Sequence, residues 1–468
     1  MNNNPVFMET KLQQYIIDKY NVPVPRYTSY PPANYFSTDF TEGQYRQEIL
    51  RSNTQTPAAL SFYFHIPFCR RLCHYCGCNA YPMAAPEKIS RYVEALHREI
   101  DLVIPMLDKT RKISQIHYGG GTPTVLPVEA LKELNAHLLE HFAVAEQPEI
   151  AIECHPGWLD ESYWTSLAED CGFTRFSIGV QDVREDVLKC INRKKPQMPV
   201  DEIVRLLHER GARVNMDFLY GLPLQTPESF GESIRYAISC QPDRLVTFSY
   251  AHVPWVNKRQ LILEEAGLPD APTKNRMFET AQKELTESGY IQIGMDHFVR
   301  PDDELALALQ NNALHRNFQG YCTRRTTGQV YAFGVTGISQ LATAYAQNTK
   351  DIDQYIASVE AGVLPVVKGY VLNEKEQITR HVIDMLMCNN VIYWDRIADD
   401  CNQSIEAVKQ AVEYNDSRIA ELVRDGIVTL DTPECLCMTP EGKIFVRNVA
   451  SAFDSLTRTQ PKSFSKPI

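Results

Sequence analysis

Four cysteines fall within ten residues of one another: Cys69, Cys73, Cys76 and Cys78, spaced C-x3-C-x2-C-x-C. Thiolates are the usual ligands of iron in iron–sulfur clusters, and three on one short loop can wrap one face of a cubane. Such a cluster leaves one iron open, where a substrate or cofactor can coordinate. A zinc ribbon instead needs two C-x-x-C pairs set well apart, and the chain has no second pair of that kind. Structural zinc and chance clustering are the rival readings. Free cysteines are common in cores, but four in ten residues beside Arg70 and Arg71 is not a core pattern.

A second motif, Gly119-Gly120-Gly121-Thr122-Pro123, directly follows an apolar run. Glycines there let a ligand approach the backbone without side-chain clashes, although such a turn alone is usually only a tight turn. Glu153, Gln181, Arg193 and Asp217 sit near the ends of later apolar runs. A carboxylate can hold ribose hydroxyls, and an arginine can pair with a carboxylate. For any one of them an ion pair on a rim is the default, and the shared position is what raises the functional reading.

The elements that must position these residues alternate. Apolar, β-rich runs recur at 61–65, 113–118, 149–153, 175–180, 213–219 and 244–250. Helical patterns fill the gaps: Ile89, Tyr92, Val93, Leu96, Ile100 and Val103 follow one face after Pro86, and Leu131, Leu134 and Leu138 repeat the pattern. This predicts an α/β chain with a parallel sheet and right-handed crossovers. Six units fall short of a closed eightfold barrel, so a partial (β/α)6 barrel is expected, its first strand delivering the cysteine loop at the C-terminal end.

The predicted organisation is an N-terminal arm (1–55), a catalytic barrel (56–270), an extension packing on it (271–364) and a C-terminal capping domain (365–468). Residues 8–20 read as a short helix. The four prolines of 21–36 fix an extended path, and Tyr27, Tyr30, Tyr35 and Phe36 predict that the arm lies against a domain. Segments near 373–388 and 404–423 read as helical, and 425–448 as a hairpin followed by a helix, which together resemble a winged-helix-like domain.

Length, 468 residues, implies two or three domains. The net charge of −11 argues against generic nucleic-acid binding, which needs a basic footprint. No secretory signal or membrane-length apolar stretch is present. Thirteen cysteines, an odd number and largely scattered, argue against a disulfide framework. The expected setting is the cytoplasm, with neither membrane nor nucleic acid as partner.

C-x3-C-x2-C after a strand, with the aromatic Tyr75 before the third cysteine, resembles the radical S-adenosylmethionine (SAM) enzymes, in which SAM chelates the open iron. More specifically, the chain resembles the oxygen-independent coproporphyrinogen III oxidases nearly end to end. The resemblance rests on PRYTSYP (25–31), HIPFC…CGCN (65–79), HYGGGTPT (117–124), SIGVQD (177–182), DFLYGLP (217–223), FSYAHVP (248–254) and GMDHFVRPDDELA (294–306). PRYTSYP and Cys78 separate it from the haem-chaperone-like relatives.

The resemblance implies that Cys69, Cys73 and Cys76 bind a [4Fe–4S] cluster, and that Cys78 is required without being a ligand, a catalytic side chain together with Tyr63. It implies that Tyr63, Tyr75, Gly77, Gly120, Gly121, Thr122, Glu153, Gln181, Arg193, Asp217, Ala251 and Ile338 line the sites of two SAM molecules. The implied substrate is coproporphyrinogen III, with a flavodoxin- or ferredoxin-like electron donor, an electron acceptor and a monomeric enzyme. Its carboxylates need cations, for which Arg26, Arg300, Arg316, Arg324 and Arg325 are candidates. The chain departs from the pattern at Cys154-His155 and across 322–339, which leaves room for a paralogue acting on another tetrapyrrole, and a haem-binding relative is a further alternative.

Overall fold

The computed structural model describes residues 15–323, 326, 328–432, 435–460 and 462–464. They fall into two compact units. One holds the described residues of 37–307 and 324–370, the other those of 1–36, 308–323 and 371–468.

The larger unit is built on six parallel strands. They are β1 (Leu60–Ile66), β2 (Ile113–Gly120), β3 (Val144–Cys154), β4 (Arg175–Gln181), β5 (Arg213–Tyr220) and β6 (Arg244–Ser249). Each pairs in parallel with the next. The crossovers carry helices α1 (Pro86–Val103), α2 (Val128–Leu139), α3 (Glu161–Glu169), α4 (Glu185–Cys190), α5 (Val200–His208) and α6 (Pro227–Ser239). The six apolar runs are therefore the six strands, arranged as a partial (β/α)6 barrel. β1 is buried at every position except Tyr63, as expected of a parallel strand covered on both faces. On α1, Pro86 occupies the first turn, and Tyr92, Leu96, Ile100 and Val103 face the core.

The sheet extends beyond these six. β7 (Ile291–Ile293) and β8 (His297–Val299) add to the β6 edge; β9 (Gln329–Phe333), β10 (Ile338–Gln340), β11 (Ala344–Asn348) and β12 (Val366–Val371) add to the β1 edge. Residues 271–364 thus continue the sheet at both ends rather than only packing on it. β9 runs parallel to β1, with Tyr63 opposite Ala332.

One buried carboxyl ties this edge down. Glu99 of α1 accepts hydrogen bonds from Gly334 N (2.8 Å), Asn348 Nδ2 (2.7 Å) and Tyr355 Oη (2.6 Å). Burial nevertheless pushes its pKa up to about 7.

In the smaller unit, strands Val391–Tyr393, Val428–Thr432 and Cys435–Met438 form an antiparallel sheet. Helices Trp394–Cys401, Ile405–Ala411 and Asp416–Arg424 accompany it in a winged-helix-like arrangement. The predicted 404–423 helix is two helices: Glu413 takes a positive φ of 49°, and Asn415 caps the second by accepting from Arg418 N. Residues 15–20 are helical, while 8–14 of the predicted helix lie outside the described residues. The arm is packed as expected. Tyr27, Tyr30, Tyr35 and Phe36 are buried, and Tyr27 Oη donates to Asp454 Oδ2 (2.9 Å). Among the described residues no helix is long and apolar enough to cross a membrane.

Candidate active site at the cysteine loop

β1 ends at Ile66, and the chain turns through Phe68–Cys69 into the cysteine loop. Cys69 and Cys73 are buried, Cys76 is half-buried and Cys78 is exposed. The loop has little regular structure, so side chains and one carbonyl from later segments hold its backbone. Asn192 Nδ2 donates to Leu72 O (2.9 Å), His74 N to Ile191 O (3.0 Å), Gln260 Nε2 to Tyr75 O (2.9 Å) and Asn257 Nδ2 to Cys76 O (2.6 Å). Gln260 Nε2 also reaches Ala251 O (3.3 Å), which draws Ala251 to the loop. His65 Nε2 and Asn79 O are 3.0 Å apart, and His65 Nδ1 and Tyr63 Oη 3.2 Å. With Nε2–H donating to the carbonyl, Nδ1 accepts from the tyrosine.

The glycine turn lies beneath this loop. Gly121 N donates to Ile66 O (2.8 Å), and Thr122 Oγ1 is 3.3 Å from Cys69 Sγ. A Cβ on Gly119 would stand 2.7 Å from Glu153 Oε1, one on Gly120 2.7 Å from the His65 ring, and one on Gly121 2.7 Å from the Pro67 backbone. Gly120 also has φ +114°. The need for glycine therefore comes first from the protein's own neighbours. Gly120 N donates to Glu153 Oε2 (3.3 Å), which joins β2 to β3 at the site.

Arg193 fastens the loop to the barrel. Its Nη1 lies 3.5 Å from Cys73 Sγ and 3.4 Å from Tyr75 Oη, and its Nη2 donates to Gly179 O. A Cβ on Gly179 would meet both Gln181 Nε2 (2.7 Å) and Arg193 Nη2 (2.8 Å), so Gln181 and Arg193 meet over β4. Asp217 on β5 accepts from Ser177 Oγ and Asn215 Nδ2, each at 2.8 Å. Burial, with the Glu153 charge nearby, pushes Asp217 up to about 6. Ile338 opens β10, which returns antiparallel along β9 at the same end of the sheet. Gly77 is exposed between Cys76 and Cys78.

The thiols differ in acidity. The hydrogen bond from Cys78, with Arg259 and Arg193 nearby, brings the Cys76 thiol down to about 6. Burial lifts Cys69 to about 11. The hydrogen bond to Cys76 raises Cys78 well above the usual range. Among the described residues no three His, Cys, Asp or Glu side chains converge on a single metal ion. A cubane places each thiolate on a different iron and so needs ligands set apart. Three thiols on one loop, a guanidinium against one and a glycine turn underneath fit such a cluster and a charged ligand beside it.

The arginine candidates separate. Arg300 N donates to Asp243 O, at the N-terminal end of β6 and so at the opposite end of the sheet from the cysteine loop; its side chain faces Asp302 (3.5 Å). Arg300 is therefore not positioned for a substrate at this loop. Arg26 and Arg316 belong to the smaller unit, where buried Arg447 senses the charge of both. Arg324 and Arg325 lie outside the described residues. Sequence reasoning missed His65, Asn257, Gln260 and Glu99. Only His65 carried a signal, as the start of HIPFC.

Comparison with known proteins fits this geometry. Residues 63–237 match the radical SAM superfamily. The oxygen-independent coproporphyrinogen III oxidase of Synechocystis is 36% identical over 97% of both chains. That of Escherichia coli is 37% identical, over 97% of this chain and 98% of its own. The solved structure of the Escherichia coli coproporphyrinogen III oxidase, described as a radical SAM enzyme, superposes with a TM-score of 0.85 at 36% identity, covering 92% of this chain and 97% of that one. The chain belongs to the oxygen-independent coproporphyrinogen III oxidases of the radical SAM superfamily.

Proposed function

We propose that the enzyme converts two propionate side chains of coproporphyrinogen III to vinyl groups by anaerobic oxidative decarboxylation. The product is protoporphyrinogen IX, and the setting is porphyrin and haem biosynthesis. One observation carries the reading: a three-thiol loop at the C-terminal end of β1, wedged on a glycine turn, in a chain that matches these oxidases over 97% of its length. Cys69, Cys73 and Cys76 hold a [4Fe–4S] cluster, and Gly120, Gly121 and Thr122 face the amino-acid end of SAM. Glu153, Gln181, Arg193 and Asp217 contact the rest of that molecule, and Tyr63, Tyr75, Gly77, Ala251 and Ile338 complete the places for it and a second SAM. When bound, cluster and SAM supply a 5′-deoxyadenosyl radical that removes a hydrogen atom from the propionate.

The chain's own residues orient and seal. Arg193 fixes the loop to β4 by charge-assisted hydrogen bonds. Asp217, prearranged by Ser177 and Asn215, presents a carboxylate where a hydroxyl donor can bind. Cys78 stands beside Cys76 without entering the three-thiol set and acts at the substrate. Each decarboxylation releases two electrons, one to the radical and one to an electron acceptor, while a one-electron donor primes the cluster. The donor is a flavodoxin- or ferredoxin-like protein and the enzyme works as a monomer in the cytoplasm.

The test is an anaerobic reaction of reconstituted protein with SAM, reductant, an electron acceptor and coproporphyrinogen III, read by mass spectrometry. Two successive losses of about 46 mass units (carbon dioxide plus two hydrogens), with 5′-deoxyadenosine, are expected. 5′-Deoxyadenosine with unchanged porphyrinogen would leave the radical SAM reading intact and overturn the substrate.

A further inference from the structure

The protein is acidic, with a formal net charge of −11, yet the surface beside the cysteine loop has the opposite sign. Arg70 and Arg71 lie between Cys69 and Cys73, and both are exposed. Each guanidinium carbon is 5.7 Å from the centroid of the Trp158 ring, and Lys194 Nζ is 3.9 Å from it. Trp158 comes from the turn after β3, and Lys194 from the segment after α4. Two separate parts of the chain thus bring three cations to one half-buried indole supplied by a third.

Their surroundings distinguish these cations. Among the described residues, Arg70, Arg71 and Lys194 make no ion pair. The next lysine, Lys195, lies 4.0 Å from Glu185, which also holds Lys189 at 3.0 Å. Gathered like charges repel, and one aromatic face offsets that repulsion only in part. An acidic surface laid over them relieves the repulsion. Tryptophan and arginine are also the side chains that most often anchor protein interfaces.

We propose that Arg70, Arg71, Trp158 and Lys194 form the docking site of an acidic one-electron carrier protein, which reduces the cluster held by the adjacent cysteines. The proposal rests on the cluster assignment above. Arg71 is two residues from both Cys69 and Cys73, so its Cα lies within about 7.6 Å of each ligand's Cα. A carrier seated there has a short electron path. In the transfer the carrier loses one electron and the cluster gains it; no bond forms or breaks and no proton moves. Small anionic ligands sit in pockets that bury most of their surface, whereas two exposed guanidiniums suit a broad partner. Against an acidic background the patch also selects the orientation of an acidic partner during encounter.

The experiment compares the full-length protein with Arg71→Glu, Lys194→Glu and the double variant, using reduced flavodoxin as the probe. Calorimetry with oxidised flavodoxin should show at least tenfold weaker binding for the double variant, and weaker binding of the parent at high salt. Cluster bleaching by reduced flavodoxin should slow at least tenfold, while bleaching by dithionite stays within twofold. Unchanged flavodoxin affinity and rate would overturn the proposal. So would equal losses with both reductants or a raised KM for coproporphyrinogen III, which would assign the patch to the substrate. If a variant loses its iron, the salt dependence of the parent decides: flavodoxin-driven bleaching must fall with ionic strength and dithionite-driven bleaching must not. Calorimetry on iron-free protein keeps the two readings apart. A parent that cannot load a cluster removes the cofactor assignment, and unaltered affinity in the variants removes the docking site.

Discussion

Arg193 Nη1 stands 3.5 Å from Cys73 Sγ while the same guanidinium donates to Gly179 O, so one side chain joins the cysteine loop to a barrel strand. Lysine cannot reproduce this fork. Arg193→Lys should remain folded and lose about 10- to 100-fold in 5′-deoxyadenosine formation, the equivalent of one charge-assisted hydrogen bond. A rate within twofold of the parent would show that the bridge does not matter to the chemistry.

The proposed roles divide the cysteines into two classes. Cys73→Ala should abolish both the brown absorbance and SAM cleavage, and a coloured, active variant would refute the ligand assignment. Cys78→Ser should keep the iron and lose product. Full turnover by that variant would remove Cys78 from the mechanism.

Gly120→Ala places a methyl group 2.7 Å from the His65 ring at φ +114°. The backbone conformation alone costs about 1–3 kcal/mol, and the collision adds to it. A lowered Tm together with poor iron retention is expected, because His65 holds the carbonyl that follows Cys78. A variant with the parent's Tm would mean that the turn relaxes freely.

Glu99 supplies a pH dependence. Its folded pKa, about 7, exceeds the ordinary carboxyl value of 4.5. Below pH 4.5 the group is neutral in both states and costs nothing. Between 4.5 and 7 the unfolded chain ionises first, so stability falls as pH rises, by up to about 3 kcal/mol, and levels off above 7. Glu99→Gln should flatten this slope in denaturant titrations at pH 5 and 7.5. An unchanged slope would place the titration elsewhere.

The strand that delivers the cysteines was readable because it is buried at nearly every position and reads as the apolar run SFYFH, and the later central strands because short β-rich runs recur between helical patterns. The outer strands were not. Ile291–Ile293 and Ile338–Gln340 have three residues each, too few to show a period. The break at Glu413 lies inside a helical pattern and carries neither glycine nor proline. At the site, cysteine spacing and GGGTP survive in one dimension because the chemistry is local. Asn257 and Gln260 reach the loop from about 180 residues away, and nothing in their own segment marks that meeting. Arg300 misled for the opposite reason: its motif matched, but the fold sends it to the other end of the sheet.

The pairing of β1 with β9 also sets a clock. Leu60 lies opposite Gln329, so the strand that delivers the cysteines keeps one edge open until the chain has grown by about 270 residues. At about 5–20 residues per second that interval lasts roughly 13–54 s on the ribosome. Throughout it, a hydrophobic strand offers unpaired backbone to any neighbour. The newborn enzyme is most exposed to aggregation at the strand that leads to its metal site, and the last third of the chain closes that window.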